Sequence, residues 1–213
     1  MFHKTGGMRR VAESTVRRLS LYLRLLEEFE EKGIDTVSSG ALASLGGTTS
    51  AQVRKDLSFF GSFGKRGLGY PVPELASRIR EILGLNRRYR VALIGAGKIG
   101  SALVQYRGFR ARGFDIVSIF DVDPTKVGHR WNGLTVLDAA ELETELARQP
   151  VDMAVLVTPA EAAQGVADRL TKLGVKAILN FAPVQLAVAE DVVVKTVNLA
   201  LELETLSYAL ANR

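Results

Sequence analysis

Arg90-Val91-Ala92-Leu93-Ile94-Gly95-Ala96-Gly97-Lys98-Ile99-Gly100 is the stretch on which the fold turns. Four consecutive apolar residues, too few for a helix, run into Gly95-x-Gly97-x-x-Gly100, and Ile99, Ala102, Leu103 and Tyr106 then recur at helical spacing. The stretch predicts a buried strand, a tight glycine turn and a helix start. A dinucleotide site needs that order: Gly95 makes the turn, Gly97 lets the backbone approach a pyrophosphate, and Gly100 lets the helix pack close to the strand. Amides at the helix N-terminus, here Ala96 to Gly100, then face the phosphates with the helix dipole behind them.

A second apolar run, Ile116-Val117-Ser118-Ile119-Phe120, ends in Asp121, 21 residues beyond Gly100. That is where such folds place the acidic residue that takes the adenosine ribose hydroxyls. Asp121 with Asp123 would repel a 2′-phosphate, so NAD(H) is expected over NADP(H). Farther along, a short strand (134–137), a helix (138–148), a strand (151–157), a helix (160–173) and a strand (175–179) alternate, which predicts a mostly parallel, doubly wound Rossmann-type sheet. Ligands of such sheets lie beyond the carboxyl ends of the strands, where Thr158, Pro159, Asn180, Phe181 and Pro183 fall. These are the candidates for the nicotinamide end.

The tail reads as a strand (192–197) and a helix (199–210) whose Leu199, Leu203, Leu206 and Leu210 form one stripe, broadened by Leu201 and Tyr208. A terminal helix this apolar packs into its own domain or is buried in a second subunit. The second is favoured.

The mass in front of the sheet has another character. Residues 1–88 carry 15 Lys+Arg against 9 Asp+Glu, whereas the remainder carries 13 against 14. A basic module beside a near-neutral one points to a polyanion partner. Ser14 is expected to cap a helix of about five turns that buries Val16, Leu19, Leu23 and Leu26 and ends at Gly33. A short helix (39–45) stops at Gly46-Gly47, and Thr49-Ser50-Ala51-Gln52 has the form of a capping box. This order predicts a helix-turn-helix. On its second helix, Val53, Leu57 and Phe60 face the core, while Ala51, Lys55 and Ser58 face outward with Arg54 and Phe59 on the flanks. With Gln52, the polar and small residues of this helix are the candidates for a major groove. Asp56 lies nearer the core and is expected to pair with an arginine. Aromatic residues then flank Gly64-Lys65-Arg66-Gly67, which predicts a basic hairpin, a wing for the DNA backbone or minor groove. A last helix (73–83) stops at Gly84, and Asn86-Arg87-Arg88 is the linker.

Other classes have less support. Of the 213 residues 47% are hydrophobic, but no run approaches a membrane span of roughly 18 apolar residues, and the start lacks a secretory segment. A cytoplasmic protein is expected. No cysteine is present, so thiol redox chemistry and cysteine metal sites are excluded, and no metal site is expected. The two histidines, His3 and His129, do not fall near the nicotinamide end, and no Tyr-x-x-x-Lys pair exists. No catalytic residue is assigned, and the dinucleotide reads as a signal.

These residues resemble the Rex family of redox-sensing bacterial repressors. The resemblance runs through Arg18-Leu19-x-x-Tyr22-x-Arg24-x-Leu26, Gln52-Val53-Arg54-Lys55-Asp56-Leu57-Ser58-x-Phe60-Gly61-x-x-Gly64-x-Arg66-Gly67-x-Gly69-Tyr70 and the glycine fingerprint. It continues through Phe120-Asp121-x-Asp123-x-x-Lys126-Val127-Gly128, Val157-Thr158-Pro159 and Leu179-Asn180-Phe181-x-Pro183. It implies a winged helix-turn-helix domain (1–85), a Rossmann NAD(H)-binding domain (86–198, with Val122 and Lys126 beside the cofactor) and a C-terminal dimerisation helix (199–213) exchanged with a second copy. It also implies a homodimer that holds pseudo-palindromic operator DNA and leaves it when NADH binds. Arg24 and Tyr106 match an arginine and a tyrosine that, in the family, pair with an aspartate near the last helix. Asn198 stands at the aspartate's place, beside Leu199, and so carries no charge.

Overall fold

The computed structural model describes residues 11–61, 63–64 and 68–212. The chain divides into two compact units, Met1–Arg87 and Arg88–Arg213.

In the first unit α1 spans Glu13–Glu31 and buries Leu19, Tyr22, Leu23, Leu25 and Leu26. Ser14 does not cap it. Ala12 holds the N-cap position without a side-chain bond, so Ser14 already lies in the first turn. Val16 is 40% exposed, because the buried stripe begins a turn later, at Leu19. After β1 (Thr36–Val37), α2 runs over Ser39–Leu45, with the Ser38 hydroxyl accepting from the Ala41 amide at 3.0 Å. Gly47 turns the chain at φ +61° into α3, Ser50–Ser58. Thr49 Oγ1 accepts from the Gln52 amide at 3.1 Å, one half of the expected box. The other half fails, since the Gln52 side chain turns to Asp56 instead. β2 (Tyr70–Pro71) pairs antiparallel with β1, and α4 (Val72–Ile82) closes the unit against α1. Leu42, Val53, Leu57, Leu75 and Ile79 complete one core with the α1 stripe.

After the glycine-rich turn Tyr70 pairs with Val37 of β1, and Gly69 permits this, since a Cβ there would stand 2.6 Å from the Val37 carbonyl. The flanks of the turn still meet, because a Cβ on Gly64 would run into the Gly69 carbonyl. Its tip, Lys65, Arg66 and Gly67, lies outside the described residues.

The second unit begins with β3 (Tyr89–Ile94) and α5 (Lys98–Gln105). Helical spacing after the glycines is real, but its face is not the expected one: Gly100 and Val104 are buried, whereas Ile99, Ala102 and Tyr106 are exposed. Tyr106, at ψ 102°, breaks the helix, and a short α6 (Arg107–Ala111) leads to β4 (Phe114–Asp121). β5 (Arg130–Trp131) and β6 (Leu134–Asp138) form a hairpin whose turn holds Asn132 at φ +48° before Gly133. Asn-Gly is the pair that such a turn favours. A 3₁₀ turn (Ala139–Glu141) and α7 (Leu142–Arg148) follow, then β7 (Met153–Leu156), α8 (Ala160–Lys172), β8 (Ala177–Asn180), β9 (Val193–Thr196) and α9 (Leu199–Ala211).

The strands form one sheet in the order β5-β6-β4-β3-β7-β8-β9, parallel throughout except for the β5–β6 hairpin. This is the doubly wound arrangement expected. The chain leaves β3 toward β4 and β6, then returns to β7 on the other side, so the order reverses between β3 and β7. Apolar clusters cover both faces of the sheet. Among the described residues no helix is long and apolar enough to cross a membrane.

Candidate functional site

The reversal point is the crevice that doubly wound sheets use for ligands, and the glycine loop sits on it. Ile94 O accepts from Val157 N at 2.9 Å, and Phe120 O accepts from Gly95 N at 2.7 Å, so the ends of β3, β4 and β7 meet there. The three glycines stand in different surroundings. Gly95 is at φ +108°, and a Cβ would stand 2.6 Å from the Val157 carbonyl. A Cβ on Gly100 would run into the Gly95 carbonyl, so those two are required by the protein's own packing. Gly97 has nothing within 4 Å of its Cβ position and an ordinary extended backbone. Nothing among the described residues demands a glycine at that place. Gly97 is also the N-cap of α5 and supplies no side-chain cap, which leaves the first-turn amides open to an anion. Lys98 and Ile99 are exposed beside it, and Ala96 is buried.

Asp121 ends β4, 8% exposed. Its Oδ2 accepts from the Ala96 amide at 2.5 Å and its Oδ1 from the Asp123 amide at 2.8 Å, which ties the glycine loop to the loop after β4. Lys126 Nζ lies 3.4 Å from Asp121 and 3.3 Å from Asp123. Desolvation pulls the Lys126 pKa down, but the two carboxylates outweigh it and hold the ammonium above its usual range. The Thr125 hydroxyl and amide, with Lys126, keep the Asp123 carboxyl below the carboxylate norm. Val122, 82% exposed, offers an apolar surface next to Asp121.

At the end of β7, Thr158 Oγ1 is buried without a hydrogen-bond partner among the described residues. Pro159 is exposed, and Phe181 is half-buried against the cluster that holds Val155, Val157 and Leu179. Asn180 is fully buried, donates to the Ala182 and Val184 carbonyls at 3.1 and 2.9 Å, and accepts from the Ala182 amide at 3.0 Å. Its side chain shapes the loop that carries Phe181. The glycine loop, the β4 carboxylate and the β7 end thus fit a dinucleotide. Among the described residues no group of His, Asp and Glu could hold a metal ion.

In the first unit the face of α3 is as expected: Ala51, Arg54, Lys55 and Ser58 are exposed, and Val53 and Leu57 are buried. Arg54 Nη1 donates to Ser39 Oγ at 3.0 Å, which holds the guanidinium across the start of α2. Behind that face lies a polar network. Asp56, 2% exposed, accepts from Arg18 Nε and Nη2 at 2.6 and 2.8 Å, from Gln52 Nε2 at 2.8 Å and from the Tyr22 hydroxyl at 3.1 Å. Burial pushes the Asp56 carboxyl up, but the donated bonds of Arg18, Gln52 and Tyr22 outweigh it and keep the pKa below the usual range. Burial and the carboxylate push the Tyr22 hydroxyl up to about 12. The expected arginine partner of Asp56 is Arg18, and the half-buried Gln52 joins this clamp through its Nε2.

Arg24 is exposed on α1, Tyr106 is 58% exposed, and Asn198 caps α9, its Oδ1 accepting from the Leu201 amide at 3.2 Å. An asparagine therefore keeps the capping function that an aspartate would have, without the charge. On α9 no residue is buried: Leu199, Leu203, Leu206 and Leu210 are 60–66% exposed. The helix does not pack into its own domain.

Two family profiles match the chain: one described as a CoA binding domain over residues 86–184, and one described as the N-terminus of a putative DNA-binding protein over residues 10–58. The redox-sensing transcriptional repressor Rex of Carboxydothermus hydrogenoformans is 50% identical over 93% of this chain and 96% of its own. The repressor of the same name from Chloroflexus aurantiacus is 44% identical over 92% of each. Among solved structures, RSP in complex with β-NAD+ and operator DNA superposes at TM-score 0.91 with 39% identity, covering 96% of this chain and 94% of that one. RSP with β-NADH superposes at 0.87 with 38% identity over 96% of each.

Proposed function

The chain belongs to the Rex family of redox-sensing transcriptional repressors, and on that premise we propose that it holds operator DNA through α3 and the basic turn after it, and releases it when NADH occupies the glycine loop. The observation that carries this reading is that RSP, solved both with NAD+ and operator DNA and with NADH, is matched across both units.

The α5 amides and the open position at Gly97 would hold the pyrophosphate, Asp121 the ribose hydroxyls, and Val122 the adenine. Thr158, Pro159 and Phe181 would meet the nicotinamide. Bound there, the nicotinamide presents a cationic ring when oxidised and a neutral one when reduced. Phe181 and its apolar neighbours favour the neutral ring, since covering a charge with apolar side chains costs several kcal/mol, of the order of 2 or more. A form of the protein that closes over the ring therefore binds NADH better, and only such a difference in affinity can shift an equilibrium. The bare α9 stripe supports a homodimer in which a second copy covers it, with Leu199 beside the partner's site. Two recognition helices related by a two-fold axis then suit pseudo-palindromic operators. Arg24, Tyr106 and Asn198 are placed in the switch, where the missing charge at Asn198 weakens the pairing. The proposed nicotinamide end offers no acid or base, so the protein reads its cofactor rather than turning it over, in the cytoplasm with its DNA.

The match to a CoA binding domain favours a second reading, coenzyme A as the effector. Asp121 opposes it, because a phosphorylated ribose would face that carboxylate. Fluorescence titration of the purified protein with NADH, NAD+ and coenzyme A separates the two. The proposal expects NADH to bind most tightly and to release a palindromic duplex in a gel shift. Release by coenzyme A alone would overturn it.

A further inference from the structure

Ser38 and Ser39 stand together at the start of α2 with two different tasks. The Ser38 hydroxyl accepts from the Ala41 amide and caps the helix. Helix α2 therefore asks nothing of the half-buried Ser39 hydroxyl, which lies one residue inside the cap. That hydroxyl accepts instead from Arg54 Nη1 of α3, at 3.0 Å and 15 residues away in sequence.

The fold brings the pair together. β1 ends at Val37, which pairs with Tyr70, so the chain enters α2 beside the strand that follows the glycine-rich turn. Gly40 lies close to the start of α3, since a Cβ there would stand 3.9 Å from the Ser50 hydroxyl. Arg54 falls where these segments meet. Burial pushes the Tyr70 hydroxyl above its ordinary value, against the pull of the Arg54 charge beside it. Arg54 is itself exposed, on the flank of the face that carries Lys55. An exposed arginine spreads over many rotamers, and a partner that orders it must first overcome that freedom. Ser39 holds one arm of the guanidinium in advance and leaves its other N–H groups to donate. A cation held at the flank of a helix in a groove is suited to the backbone rather than to a base edge.

We propose that Ser39 is a positioning residue for DNA binding, which fixes the Arg54 guanidinium for a phosphate of the duplex backbone. The role rests on operator binding as proposed above and passes entirely through Arg54. Planar guanidiniums meet phosphate oxygens in a fixed fork geometry, so the orientation set by Ser39 decides how well Arg54 binds.

The test is fluorescence anisotropy with a palindromic duplex that the full-length protein selects from a random library in the presence of NAD+. Ser39→Ala is expected to lower affinity about three- to tenfold, by the same factor on the selected duplex and on its single-base variants, with melting temperature and NADH affinity unchanged. Ser39→Thr, which keeps the hydroxyl, is expected to bind like the parent. Arg54→Ala is expected to lower the slope of log affinity against log salt by about one, and Ser39→Ala to add no further loss in that background. Parent affinity in Ser39→Ala, an equal loss in the Arg54→Ala background, or a loss confined to particular base pairs would each overturn the role while leaving operator binding in place. A parent protein that holds no duplex would overturn operator binding itself, and the role with it.

Discussion

Gly97→Ala and Gly95→Ala separate what the glycine loop does for the fold from what it does for a ligand. At Gly97 the backbone is at φ −88° and ψ −168°, which alanine adopts freely, and nothing lies within 4 Å of the new methyl. Stability should change by less than about 0.5 kcal/mol. The methyl instead stands where a pyrophosphate must approach the α5 amides. Losing one charge-assisted bond there costs about 1.5–3 kcal/mol, so NADH affinity should fall roughly 10- to 150-fold. At Gly95 the balance reverses. A φ of +108° strains any Cβ, and the Val157 carbonyl 2.6 Å away must move. Together these cost about 2–4 kcal/mol, which lowers the melting temperature of a unit this size on the order of 10 °C. Scanning calorimetry and NADH fluorescence titration on both variants read the two quantities. The reasoning is refuted if Gly97→Ala binds NADH like the parent, or melts as early as Gly95→Ala.

Asp56→Ala leaves Arg18 and the buried Tyr22 hydroxyl without their acceptor. Arg18 is partly exposed and rehydrates, so the expected cost is about 3 kcal/mol by urea unfolding, and a loss under 1 kcal/mol would contradict the clamp. The pH dependence has a fixed sign: the folded pKa of Asp56 is depressed, so its stabilisation is present above the unfolded value of 3.8 and lost as pH falls through the folded one. Parent and Asp56→Asn urea midpoints should therefore converge in acid. Tyr22 works at the other limit: with a pKa raised from 10.0 to about 12, its contribution is whole below pH 10 and fades as pH rises toward 12. Leu203→Glu/Leu206→Glu should yield monomers in sedimentation with unchanged helix content, and persistent dimers would refute the role of α9. Lys55→Ala should lower the slope of log affinity against log salt by about one if Lys55 meets a phosphate, and relax base preference if it meets a guanine; no change in either removes α3 from the interface.

Much of this was legible because the signals are local. A glycine spacing, an apolar run ending in Asp121 and helix stops at glycines place the sheet, and α2 falls over Ser39–Leu45 as read. Asp56 was legible as a charge on a core-facing position, which demands a partner. What escaped was set by contacts distant in sequence or too short to show a period. β1 and β2 are two residues each, and their pairing joins Val37 to Tyr70 across two helices. Tyr106 breaks α5 from α6 with neither proline nor glycine at the break. Asn180 is legible as the residue that ends a strand, but its three hydrogen bonds to the following loop are invisible until the loop is closed.

The central claim is that a ratio of reduced to oxidised dinucleotide sets the grip on DNA. Fluorescence anisotropy of a labelled palindromic operator, at fixed total dinucleotide and varying NADH fraction, measures it directly. The account predicts that operator affinity falls steadily as that fraction rises and that Gly97→Ala blunts the fall. An affinity that stays level from all-oxidised to all-reduced dinucleotide would contradict it.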